Sequence, residues 1–255
     1  MTLVLAICCR GGVIFAADSQ ATLNAASVLF ATKDETDKLN LVADKVVWGG
    51  AGAIGTIQRV REQLTQDQSA VKNCLQQGPD QTAHFIQQKV KAVQGAVRSE
   101  VLGDEQAKAQ YGTEFLFGGF CKGEPFLLLI DPNGAREWKH TGNFTAVGSG
   151  AQLAVHAYRG WRHYKLNDLG AQQAEILAYR IVVSVTDTAA YGVGGDVSLA
   201  VITKSGAHLL SKDEVKAVND AMAAWLQEEV ELVARLGVPI ASSESDLHAE
   251  LPVEE

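Results

Sequence analysis

Thr2 brings two reactive groups together. It follows Met1 at the head of an apolar run, Thr2-Leu3-Val4-Leu5-Ala6-Ile7. Loss of Met1 leaves a threonine whose α-amine and side-chain hydroxyl belong to one residue, a base and a nucleophile in a single unit. The ordinary pKa of an α-amine, about 7.7–8.0, suits a general base near neutral pH. A peptide-bonded nitrogen cannot take the proton, so this chemistry needs a terminal residue. A small residue at position 2 permits Met1 removal, and maturation is expected to need no other processing.

Other residues offer chemistry with a plainer alternative beside it. Asp18 precedes Ser19, and aspartate at such a place commonly forms a turn. Ser149, in Gly148-Ser149-Gly150, stands where the N-cap of a following helix is expected. Gly49-Gly50-Ala51-Gly52-Ala53 is a glycine-rich bend, and a glycine allows close approach of another molecule. Trp48 and Trp138 are of the type that fills cores and interfaces. The cysteines are Cys8, Cys9, Cys74 and Cys121, with no Cys-x-x-Cys or Cys/His spacing of a metal site. Cys8 and Cys9 are adjacent and would face opposite sides of a strand. Buried reduced thiols are the reading, and no metal or cofactor is implied.

A net charge of −8, with no block of Lys and Arg, argues against a nucleic-acid partner. No run of about 18 apolar residues suggests a membrane span. The first apolar run lacks a basic segment before it and is broken by Arg10-Gly11-Gly12, unlike a signal peptide, so a cytoplasmic protein is expected.

Periodicity supplies the elements. Thr2 to Cys9 and Val13 to Ala17 read as a hairpin, and Ala21 to Asp37 as a loop with a short strand. Lys38 to Val42 and Lys45 to Trp48 read as strands. Helical spacing covers Ile54 to Leu64 and Thr82 to Val101, with a breaker at Gln77-Gly78-Pro79-Asp80 between them. Asp104 to Gln110 is polar and reads as an exposed extension. A second hairpin joins Phe115 to Phe120 with Pro125 to Ile130. Short strands follow at Ala135 to His140 and Phe144 to Val147. A helix is expected from Gly150 to about Tyr164, another from about Leu169 to Thr186, and a third hairpin from Val197 to Leu210. A last helix, Asp213 to Leu236, starts behind a capping box of Ser211 and Glu214. Hairpin blocks with helices grouped between them do not make a βαβ wind. They predict an α+β fold, two antiparallel sheets packed together with helices outside, in four α-β-β-α layers. A single domain over residues 1–241 is expected, followed by an acidic tail, 242–255.

The order of these segments resembles proteasome β-type subunits and their bacterial relatives, members of the N-terminal-nucleophile hydrolases. The resemblance is carried by the Thr2 strand, by Gly11-Gly12-Val13-Ile14-Phe15-Ala16-Ala17-Asp18-Ser19-Gln20-Ala21-Thr22, and by Asp37-Lys38-Leu39. It continues through Ala51-Gly52-Ala53, Ala146-Val147-Gly148-Ser149-Gly150 and Gly194-Gly195-Asp196-Val197-Ser198, out to about Val215. The absence of an extension ahead of the first strand resembles a β-type rather than an α-type subunit. Size and enlarged helices are most similar to the group called Anbu. The run Gln20 to Leu23 is shared with the smaller HslV-type peptidases.

The resemblance implies a threonine-type endopeptidase. Thr2 would attack the scissile carbonyl and form an acyl-enzyme. Lys38, preferred over Lys33, would place a positive charge by the hydroxyl, and Asp18 would pair with it. Gly52 would offer its N–H to the oxyanion, and Ser149 and Asp187 would orient the amine. Ala21, Thr36, Gly50 and Ile54 would line the S1 pocket, which carries no charge and implies an apolar P1 side chain. The substrate would be a peptide or unfolded protein, and the chain would assemble as a homo-oligomer, a ring or related multimer, with any ATPase partner left open. Where the family often carries a serine before the paired glycines, this chain has Val193, so Tyr191, Ser149 or Asp187 must hold the amine or activity is reduced. The alternatives are an inactive structural subunit of such an assembly and an amidase of the same superfamily acting on a small amide.

Overall fold

The computed structural model describes residues 2–25, 28–35, 37–100, 112–139, 143–188 and 193–236, with the backbone alone over 21–35. Thr36, Tyr191, the polar extension at 104–110 and the acidic tail lie outside the described residues.

One sheet contains β1 (Val4–Cys9), β2 (Gly12–Asp18), β10 (Phe144–Val147), β11 (Val197–Ile202) and β12 (Ala207–Leu209), in the order β10-β1-β2-β11-β12. A second contains β5 (Leu39–Val42), β6 (Val46–Gly52), β7 (Thr113–Cys121), β8 (Glu124–Ile130) and β9 (Arg136–Trp138), in that order. Both are antiparallel throughout. α1 (Ile54–Gln66), α2 (Gln68–Gln77) and α3 (Pro79–Glu100) cover the second sheet, while α4 (Ala151–Gly160), α5 (Ala171–Thr188) and α6 (Lys212–Arg235) lie on the side of the first. This is the four-layer sandwich that the sequence predicts.

The alternation of β1 sorts its side chains between two cores. Leu3, Leu5, Ile7 and Cys9 pack toward α4 and α5, with Ala154, Leu177, Ala178 and Ile181. Val4, Ala6 and Cys8 face the other sheet, with Val47, Leu116 and Leu127. A strand buried on both faces reads as one apolar run rather than an alternating one. The adjacent cysteines do face opposite ways, and burial pushes the Cys8 thiol up to about 12, the neighbouring Cys9 adding to the effect. Such a thiol has almost no thiolate at neutral pH and is unreactive there. Trp48 is a core residue, stacked on Phe117 beneath α1 and α3.

Three expectations are corrected. The segment after Asp18 is not a loop with one short strand: β3 (Gln20–Ala25) and β4 (Val28–Glu35) pair as a two-stranded sheet. Its β-branched and apolar residues satisfy each other's backbone across the hairpin, with a register shift at Gln20/Ala21. An extra helix, α2, precedes the breaker, which acts as a helix-to-helix joint because Gly78 (φ 134°) stops α2 and Pro79 starts α3. The helix after Gly150 ends at Gly160 rather than Tyr164, where turns and a 3₁₀ segment at Leu166–Asp168 take over. The capping box on α6 forms as expected, Ser211 Oγ accepting from Glu214 N–H and the Glu214 carboxylate accepting from Ser211 N–H.

Candidate active site

Thr2 is held where β1 begins, between the start of the chain and the end of β10. Register does most of this. Val4 pairs with Val147 on one side and Ala17 on the other, so the backbone just ahead of Val4 meets Gly148 and Asp18. Gly150 N–H donates to the Thr2 carbonyl at 3.3 Å. Gly148 has φ 95°, and a Cβ there would stand 2.2 Å from the Thr2 carbonyl oxygen. Only glycine lets the two backbones come this close.

Ser149 Oγ accepts from the Thr2 nitrogen at 3.2 Å. The N-cap of α4 is Gly150, with no side-chain capping bond, so the Ser149 hydroxyl meets the Thr2 nitrogen and does not cap the helix.

Asp18 is 0% exposed and fully engaged. Oδ1 accepts from Leu3 N–H at 2.8 Å and from Lys38 Nζ at 2.6 Å, and Oδ2 accepts from Gly194 N–H at 3.1 Å. One carboxylate oxygen thus bridges the residue after Thr2 and the ammonium of Lys38. Lys38, 8% exposed at its side chain, also donates to the Gln20 carbonyl at 2.6 Å. Burial pushes its pKa below the ordinary lysine value, and the charge and hydrogen bond of Asp18 oppose that shift. Its backbone is pinned as well, since Asn40 Nδ2 donates to the Lys38 carbonyl and Arg61 donates to the carbonyl of Asp37. Lys33 lies on β4, where side chains are outside the description.

Gly52 is exposed at the end of β6, with φ 134°, directly before α1. A Cβ on it would come 2.2 Å from the Gly112 carbonyl, so the bend requires glycine here also. α1 has no side-chain cap, which leaves the N–H groups and positive dipole end of its first turn beside this bend.

The remaining residues are not drawn into this constellation. Asp187 is exposed in the last turn of α5 and, among the described residues, makes no hydrogen bond to Thr2. Val193 is buried in the core under α4 and α5, so a serine's place is taken by packing. Of the S1 residues, Gly50 is buried, and a Cβ on it would stand 3.0 Å from the Phe115 ring and 3.1 Å from Ile57, so that side is filled by core; Ile54 is 42% exposed at the first turn of α1. Ala21 is on β3, its side chain outside the description, as is Thr36 altogether.

Sequence reasoning missed several partners. The Gly194 N–H and the Gln20 carbonyl complete the Asp18–Lys38 pair; both residues stood inside sequence motifs, but neither backbone role had a signal of its own. Thr113 Oγ1, which accepts from Ala53 N–H at 3.2 Å, had no sequence signal because it depends on how β6 and β7 align.

The chain has counterparts among known proteins. A family model described as proteasome subunit matches residues 2–202, beginning on Thr2. A proteasome subunit beta from Methanocaldococcus vulcanius is 27% identical over 215 residues, 84% of this chain and 87% of that one. A proteasome subunit beta 1 from Thermococcus kodakarensis is 26% identical over 217 residues, 85% and 96% of the two chains. Among solved structures, an Anbu (Gly-1) mutant from Hyphomicrobium sp. strain MC1 superposes with a TM-score of 0.63 at 18% identity, covering 92% of this chain and 97% of that one. That likeness is one of fold.

Proposed function

This chain belongs to the proteasome subunit family, and from that premise we propose that it is a β-type threonine peptidase, with Thr2 as nucleophile once Met1 is gone. The observation that carries the reading is the bridging carboxylate. Asp18 Oδ1 takes both the Leu3 N–H and the Lys38 ammonium, fixing a buried positive charge one carboxylate oxygen away from the residue that follows the candidate nucleophile. A buried lysine facing a buried carboxylate is costly to assemble, and a purely structural site could be apolar at no loss.

The reaction follows from these groups. The Thr2 amine, accepted by Ser149 Oγ, takes the proton of its own hydroxyl as Oγ attacks the scissile carbonyl. The Lys38 charge lowers the cost of negative charge on Oγ. The Gly52 N–H and the first turn of α1 receive the oxyanion of the tetrahedral intermediate. Collapse breaks the C–N bond, the amine returns the proton to the leaving nitrogen, and an ester on Thr2 remains. Water, deprotonated by the same amine, hydrolyses it. No cofactor enters.

Ala21, Thr36, Gly50 and Ile54 would line an apolar S1 pocket, of which Ile54 stands 42% exposed at the first turn of α1. We read the unit as one domain over residues 1–241, acting as a homo-oligomer on peptides or unfolded chains. Among the described residues no helix is long and apolar enough to cross a membrane. One observation favours the second reading, a subunit without activity: buried Val193 leaves the amine with fewer polar partners than a serine would.

The test is hydrolysis of a set of fluorogenic peptides by the purified assembly and by Thr2→Ala. Turnover that disappears in Thr2→Ala supports the peptidase. Turnover of small amides with none of peptides supports the amidase, and none of either supports the scaffold.

A further inference from the structure

We propose that Thr113 is a positioning residue for the oxyanion donor, holding the Gly52–Ala53 bend in its reactive shape through the Ala53 N–H. This rests on the peptidase reading above and extends it to a residue outside the nucleophile's own circle.

The β6–β7 ladder runs out at this point, since its last pair is Gly52 opposite Thr113. A glycine at φ 134° has wide conformational freedom. A donor on it is fixed only if the chain is anchored on both sides. The ladder anchors the side of Ala51. On the other side, Thr113 Oγ1 accepts from Ala53 N–H at 3.2 Å, a bond from a β7 side chain across to the bend. Thr113 is fully buried, so the acceptor end of this bond is shielded from water.

Thr113 is itself tied down. Gln94 of α3, 5% exposed, donates through Nε2 to the Thr113 carbonyl at 2.9 Å and to the Asp131 carbonyl at 3.1 Å. A buried polar path therefore runs from α3 and the end of β8, through Thr113, to the residue after Gly52. A buried glutamine spanning two backbone carbonyls is an expensive fixture for a mere strand end. It makes sense as rigidity delivered to a donor that must be preorganised before charge develops.

Thr113→Val keeps the shape and removes the acceptor, and Thr113→Ser keeps the acceptor. In the assembled enzyme, Thr113→Val is expected to lower kcat roughly tenfold to hundredfold with KM changed by less than about twofold, the signature of misplaced transition-state contacts. Thr113→Ser is expected to stay within about threefold of wild type. Amide exchange of the segment 50–56, followed by mass spectrometry, should quicken in Thr113→Val and not in Thr113→Ser. Unchanged kcat in Thr113→Val, equal losses in both variants, or a loss confined to KM overturns the proposal. Should Thr113→Val not assemble, Gln94→Met cuts the same path one link back: a kcat loss at constant KM supports the role, and an unchanged kcat overturns it. A wild type without Thr2-dependent turnover sinks the peptidase reading and takes this role with it. An active wild type with an indifferent Thr113 sinks this role alone.

Discussion

The two sides of Thr2 are built differently. On the lysine side, Asp18 ends a strand, is sealed from solvent, and has three donors around its two oxygens. On the amine side, Ser149 sits on an exposed turn with one bond to Thr2, Asp187 stands in solvent at a helix end, and Val193 has become core. A residue at a strand end inherits its place from the sheet register, which cannot slip without turning every side chain over. A residue at a helix end has no such constraint. On the proposed peptidase reading, the lysine side is fixed before any substrate arrives, and the amine side depends on the Ser149 hydroxyl.

The sharpest way to break this contrast is Asp18→Asn. It leaves Lys38 buried without a counter-charge and turns an acceptor into a donor facing donors. Removing one partner of a buried pair typically costs about 3–5 kcal/mol. Chemical denaturation of the purified protein should lose stability in that range, with peptide hydrolysis falling to background. Asp18→Asn combined with Lys38→Met should recover much of the stability, since two neutral groups replace an orphaned charge, and none of the activity.

The pH profile is a second probe of the lysine side. Burial lowers the Lys38 pKa below its ordinary 10.5. Between the folded and the ordinary value the unfolded chain holds the proton and the folded chain does not, so this group's contribution to stability rises with pH through that window. Activity runs the opposite way, because the charge on Lys38 is what is lost. kcat/KM should rise as the Thr2 amine deprotonates near about 7.7–8.0, then fall on an alkaline limb lying below 10.5. A profile flat to pH 10.5 contradicts a catalytic charge on Lys38.

Effects on the amine side should be smaller. Ser149→Ala removes one hydrogen bond and is expected to cost about tenfold in kcat/KM, the worth of a bond of roughly 1.4 kcal/mol. Asp187→Asn, at an exposed position, should change kcat/KM by less than about twofold. A larger effect at Asp187 than at Ser149 reverses the comparison and moves the amine's partner to α5.

The pattern of what was legible follows the same division. The strand-end residues Asp18 and Lys38 and the glycines at 52 and 148 carried order and spacing in the chain itself. The capping box at Ser211 and Glu214 was legible because it is local. Ser149 was ambiguous, since whether its hydroxyl caps the helix depends on the backbone of Gly150, which the sequence does not show. The β3–β4 hairpin was hidden because its residues mix polar and apolar without a clean period of two. Thr113 and Gln94 were invisible for another reason: nothing in Gly112-Thr113-Glu114 marks a residue whose partner is set by strand alignment 60 positions away, and nothing in the middle of α3 marks a glutamine whose partners lie 19 and 37 positions on.

The most direct measurement is the intact mass of the purified protein after incubation with a peptide epoxyketone, a warhead that needs both the hydroxyl and the free amine of a terminal threonine. The account predicts a chain lacking Met1 and carrying one adduct, with no adduct on Thr2→Ala. A chain that lacks Met1 and carries no adduct would contradict it.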